Sequence, residues 1–222
     1  ILVVALALAA TTACGRTTAT SPTVEVVLSG LENPRGVAVG PAGNLYVAEA
    51  GTGYDAVDPT LMTGKLTEFH DHNGDGDYDD EGEVIPWFRH FPTYNAQHFT
   101  DSVRDEVGGP SDLLLHSDGR LFLAVDGGFE RQSLFVISPE GRVGRTLADR
   151  GNMNGIAFDL DQEQIYVLES TFNRLVSVSL DGELREIALF PPLASGQQSV
   201  PAGLTVDPRS GDVLVALFSG VI

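Results

Sequence analysis

Four stretches of the chain share one alternation of apolar and polar positions: a short apolar strand, a polar turn, then a second apolar strand. They are Asn33–Ala48, Gly109–Ala124, Met153–Leu168 and Pro201–Ala216. Asp112, Gly155 and Gly203 mark equivalent points, so the repeat is roughly 40–50 residues, the length of a propeller blade rather than of a helical repeat. Gly36 to Asp112 is one period plus an insertion. Each period reads as strands A to D. In the second these are Asp112–Leu115, Leu121–Val125, Leu134–Ile137 and Arg142–Leu147. In the third they are Gly155–Phe158, Ile165–Leu168, Leu175–Leu180 and Glu183–Phe190. Asp181-Gly182 between two alternating runs is a hairpin signal. In the first period strand C is Lys65–Phe69 and strand D Val84–Phe88, with an enlarged acidic turn between them. The pattern predicts an all-β β-propeller of four-stranded antiparallel blades, with about four blades present in a fragment.

The insertion loops refine this picture. A–B and C–D turns lie on one face of a propeller, B–C and D–A connections on the other. Residues 51–64, 89–108 and 191–200 are long and fall on the second face, which marks it as the binding face. The first face carries the turn Asp71–Glu83. Its Asp71, Asn73, Asp75, Gly76 and Asp79 stand at calcium-loop spacing, where alternate oxygen side chains converge on one hard cation. The expected bidentate Glu is replaced by Gly82. Glu81 and Glu83 flank it as substitutes, and Asp77 supplies a carbonyl. The expected cofactor is therefore one structural calcium.

Charge and cysteine narrow the class. Formal net charge is −18, from 13 basic and 31 acidic residues, which disfavours nucleic acid. The single cysteine, Cys14, excludes an internal disulfide. It follows the apolar run 1–10 and reads as the end of an export signal (residues 1–14), with lipidation of Cys14 expected and a plain secretory signal as the alternative. Residues 15–23 form a Thr/Ser-rich tether, and 24–222 the propeller. The implied location is extracytoplasmic, with the membrane met only through a lipid anchor, and the protein a monomer.

Two candidate ligand sets emerge. Strand A starts place Arg35, Ser111, Asn154 and Ala202 at the mouth of the central channel, and strand B ends place Glu49, Asp126 and Glu169 nearby. The long D–A loop carries His90, Tyr94 and His98. No Ser/His/Asp order, nucleophile elbow, phosphate loop or Cys/His zinc pattern occurs.

The phrase from Gly30 to Gly51, and the later Val200–Val206 with Gly220, resemble the ScyD/ScyE family of exported bacterial propellers, itself similar to NHL-like and SMP-30/gluconolactonase-like six-bladed propellers. The resemblance implies export and a six-bladed propeller, with no set reaction. Gluconolactonase-like relatives hold a divalent metal at strand A starts, and Asn154-Gly155 is similar to their Asn-Gly motif. Arg35, Ser111 and Ala202 depart from the acidic and Asn residues expected beside it. The reading therefore leans to a binding module for a glycan, peptide or small metabolite. A channel-site lactonase, hydrolase or quinoprotein sugar dehydrogenase is the alternative. Arg35 suits an anionic ligand or a salt bridge to Glu49 or Glu169.

Overall fold

The computed structural model describes residues 24–53, 62–95, 107–127, 133–148 and 152–218. Cys14, His98 and the signal and tether regions lie outside them. The first antiparallel sheet runs β1 (Pro34–Val39), β2 (Leu45–Glu49), β3 (Gly64–Phe69), β4 (Val84–Phe91) in that order. A two-residue pair, β5 (Tyr94–Asn95) with β6 (Val107–Gly108), follows it. The second sheet is β7 (Pro110–Leu115), β8 (Leu121–Val125), β9 (Ser133–Ile137), β10 (Val143–Ala148). The third is β11 (Met153–Phe158), β12 (Gln164–Glu169), β13 (Arg174–Ser179), β14 (Leu184–Leu189), and β15 (Pro201–Val206) pairs with β16 (Val213–Leu217). The chain is a β-propeller, as the repeat predicts. Strand boundaries shift by one to three residues, chiefly because strand A begins earlier than the apolar run does.

The blades stack through their first strands: β1 lies beside β7, β7 beside β11, and β11 beside β15. Two apolar layers fill the gaps. Leu121, Leu123 and Val125 face the first blade, where Tyr46, Ala48, Leu66 and Phe91 meet them. Phe122 and Ala124 face the third, against Ile156, Ile165, Val167 and Val176. Every residue of β8 is buried, which explains an apolar run without alternation: both faces of that strand are covered.

Turn chemistry repeats with the strands. Gly43, Gly119, Gly141 and Gly182 each return their N–H to the carbonyl three residues earlier, at 2.8–3.0 Å. All four have φ between 73 and 91°, a region that favours glycine.

Each strand A also carries a bulge at the same place, between Pro34 and Gly36, Pro110 and Asp112, Met153 and Ile156, and Pro201 and Gly203. A hydrogen bond closes the strand ends beside each bulge. Ala50, Asp126, Ser170 and Phe218 donate their N–H to the carbonyls of Asn33, Gly109, Asn152 and Val200 at 2.8–3.0 Å. The alignment makes Glu49, Val125, Glu169 and Leu217 the true ends of the second strands, with Asp126 one residue beyond.

Candidate functional site

A bulge re-aims the side chain of its extra residue. Here the extra residues include Arg35, Ser111, Asn154 and Ala202. Together with Pro34, Val200 and Phe218 they line one open cavity of about 580 Å³. The structure thus brings the four expected strand-start residues together, and adds three apolar neighbours that sequence reasoning passed over. Val200 holds φ +48°, an uncommon conformation for a β-branched residue. Its N–H is received by Asn173 Oδ1 at 2.9 Å.

Polar side chains in this ring are already engaged, within and across blades. The Ser111 hydroxyl donates to Met153 O at 2.6 Å, with Ala124 O at 3.1 Å. Asn154 Nδ2 donates to Ser170 Oγ at 2.7 Å, and Ser170 Oγ to Pro201 O. Ser170 is a link the repeat pattern did not single out; its signal was its place directly after the second strand of its blade.

The expected acids stand differently. Glu49, 1% exposed, accepts the Glu32 N–H at 2.6 Å and lies 3.4 Å from Lys65 Nζ. Glu169, fully buried, accepts from Arg174 Nε, while Arg174 Nη1 reaches Glu186 at 3.2 Å. Both are strand-end anchors with basic partners of their own, and neither is among the described residues lining the cavity. Tyr94 donates to Asp126 Oδ2 at 3.2 Å, and His90 Nδ1 lies 3.0 Å from Met62 O. The described part of the His90, Tyr94, His98 group therefore ties its segment to Met62 and to the end of β8, and it is not among the described residues lining the cavity.

These four strand-start residues do not by themselves fit a divalent cation. Arg35 brings positive charge, Ser111 is held by carbonyls and Ala202 has no ligand atom. Asn154 Oδ1 remains as one neutral donor, where a Lewis-acid site needs several oxygens and an open position.

The acidic turn joins β3 to β4, on the other face of the blade. Asp71 accepts the N–H groups of Gly74 at 2.6 Å and Gly76 at 3.1 Å. Glu83, 1% exposed, accepts those of His72 at 2.8 Å and Asp80 at 3.2 Å. Asn73 Nδ2 donates to Asp75 and Asp80. The carboxylates that converge are Asp75, Asp77 and Asp80. Asp80 was not among the expected ligands, and Asp77 contributes its side chain. Asp77, with Asp80 and Asp75, raises the Asp79 carboxyl above its ordinary value, because crowded negative charges favour the protonated form. Tyr78 clamps the turn, donating from its hydroxyl to Gly43 O at 2.9 Å and from its N–H to Val27 O at 3.1 Å.

The fold and its ring of bulged residues define a propeller protein with a cavity where the first strands begin. Residues 18–221 match the family described as SMP-30/Gluconolactonase/LRE-like region, and the chain belongs to that family. An uncharacterized protein of Sulfolobus acidocaldarius is 30% identical over 89 residues, 39% of this chain and 32% of that protein. A gluconolactonase from Xanthomonas campestris shares 19% identity and superposes with a TM-score of 0.56, covering 88% of this chain and 59% of that one. Virginiamycin B lyase from Staphylococcus aureus gives 16%, 0.51, 82% and 55% for the same quantities. A chain of the nidogen/laminin complex gives 17%, 0.56, 83% and 56%. These likenesses speak to fold. The chain spans between 55% and 59% of the length of these three solved chains.

Proposed function

We propose that this chain is a binding propeller whose strand-start cavity takes a small anionic metabolite or an acidic glycan unit, with Arg35 as its anchor. The observation that supports this reading is the composition of the ring: an arginine, a serine, an asparagine and an alanine, with no carboxylate among the described residues that line it. A charge-assisted bond from a guanidinium to a carboxylate is strong and directional. Calorimetry with gluconate should detect saturable binding, weakened about tenfold by Arg35→Ala. Binding that is equal in parent and variant would sink the assignment of Arg35.

Family membership and Asn154 favour a second reading, a lactonase-like hydrolase or sugar oxidoreductase. Metal-dependent turnover of gluconolactone, lost with Asn154→Ala, would install it in place of the first.

The acidic turn is read as a calcium staple. Support comes from Asp75, Asp77 and Asp80 lying together on backbone already held by Asp71 and Glu83. A ligand at ten times its Kd stabilises by about 1.4 kcal/mol, since only the native state binds it. Calcium added after chelation should raise Tm by about 3–6 °C in a domain of this size. Asp75→Ala should remove that response, and an unchanged melting curve in the parent would leave the turn merely acidic.

Within the family, the closer placement with ScyD/ScyE proteins, export and a lipid on Cys14 belong to the same proposal, supported by the apolar run before the cysteine. Release of the Cys14→Ser protein from membranes checks the anchor; equal partitioning of both proteins would rule it out.

A further inference from the structure

On the face opposite the strand-start cavity, a cleft of about 380 Å³ runs between the first and second blades. Pro41 borders it from the β1–β2 turn, Tyr46 from β2 and Trp87 from β4. Pro139 comes from the β9–β10 turn and Gln162 from the β11–β12 turn, so the cleft spans three sheets.

Its floor is aromatic. Tyr46 and Trp87 meet edge to face, with centroids 5.1 Å apart. Gly141 stands beside the indole, where a Cβ would make an ordinary contact of 3.4 Å. Burial, with the Glu68 carboxylate beside it, pushes the Tyr46 phenol up to about 12, so the floor carries no charge at neutral pH.

The side-chain groups left over are the Gln162 amide NH₂ and the Trp87 N–H, which only donate, and the Ser117 hydroxyl, which can do either. His116 has both ring nitrogens engaged, Nε2 at Gln162 O (3.2 Å) and Nδ1 at Asp118 Oδ1 (2.8 Å). Gln162 Oε1 accepts the Ser117 N–H at 3.0 Å, which leaves its amide NH₂ to donate. The indole N–H of Trp87, a half-buried residue, has no acceptor among the described residues. A sugar would bring hydroxyl protons that need acceptors. The occupant that matches is rich in acceptors, poor in donors and apolar on its faces. A run of prolines has those properties: no N–H, solvated carbonyls, and an extended helix that loses little entropy on docking.

We propose that this cleft docks a proline-rich peptide in the polyproline II conformation, with the Trp87 N–H and Gln162 amide donating to its carbonyls. Trp87 is the only tryptophan in the chain, so its emission reports occupancy directly. Titration of the whole chain with a ten-residue polyproline peptide should give a saturable change in that emission. A Gly/Ser peptide of equal length should give none. By calorimetry, Trp87→Phe and Gln162→Glu should each weaken binding about five- to tenfold, the effect of one lost hydrogen bond. The second variant retains an oxygen for the Ser117 N–H, and an unshifted melting midpoint would show that the fold is intact. Equal affinity in parent and variants would overturn the proposal. So would silence with the peptide, or a response to a neutral β-glucan oligosaccharide in its place.

Discussion

Gly36→Ala should destabilise the protein by about 1–3 kcal/mol, the usual cost of forcing extra volume into a packed interior. A Cβ at Gly36 would lie 2.8 Å from Asp112 Cα and 3.0 Å from both Leu113 N and Leu113 Cδ2. Two of those atoms are backbone of β7, which is itself pressed against β11 and has nowhere to retreat. Gly155 holds the same place in the third repeat, yet its nearest contacts, Ala202 O, Leu168 Cδ1 and Leu204 Cβ, would all lie at 3.2 Å, a distance that a shift of a few tenths of an ångström relieves. Gly155→Ala should therefore cost less than Gly36→Ala, with part of its strain offset by the stiffer unfolded chain. Urea unfolding of the two variants side by side checks this. Equal losses would show that the gap between the first two blades is no tighter than the one between the third and the fourth.

The second large effect concerns pH. Asp112 stands where the other three blades have glycine. Its Oδ1 accepts its neighbour's Leu113 N–H at 2.9 Å, and its Oδ2 accepts the Ile156 N–H of the next blade at 3.0 Å. Burial raises its carboxyl from 3.8 to about 6, against the lowering pull of those two backbone bonds. Between those values the native state holds a proton that the unfolded chain has released. Stability from this group is therefore full below about pH 4 and declines as pH rises through about 6. A shift of this size corresponds to about 3 kcal/mol at most. The residue is partly exposed, so about 1–3 kcal/mol is expected. Asp112→Asn retains one acceptor and cannot ionise. The difference in unfolding free energy between pH 4 and pH 7 should change by that amount relative to the parent, in favour of the variant at pH 7. Parallel pH profiles would show that the carboxyl titrates normally.

The repeat, strand order and turn positions were open to reading because each depends on local pattern. Leu175 to Leu180 alternates, and Asp181-Gly182 turns, whatever lies around them. The same logic located Arg35, Ser111, Asn154 and Ala202, since equivalent positions of a repeat must occupy equivalent places in a ring. Glu49 and Glu169 were harder to place. Whether a strand-end carboxylate faces a cavity or a lysine depends on Lys65 and Arg174, which lie on the next strand.

The chain by itself determined a four-stranded blade grammar, its glycine turns and the acidic insertion, because hydrophobic period and turn conformation are properties of neighbouring residues. Tertiary structure decided what the distant residues do to one another. It bulged each first strand, drew Asp80 and Asp77 together with Asp75, and buried Glu83 as a cap for its own loop. It also opened an aromatic cleft between blades from turns that are far apart in sequence. Those outcomes depend on how closely β1, β7 and β11 approach, and only packing sets that distance.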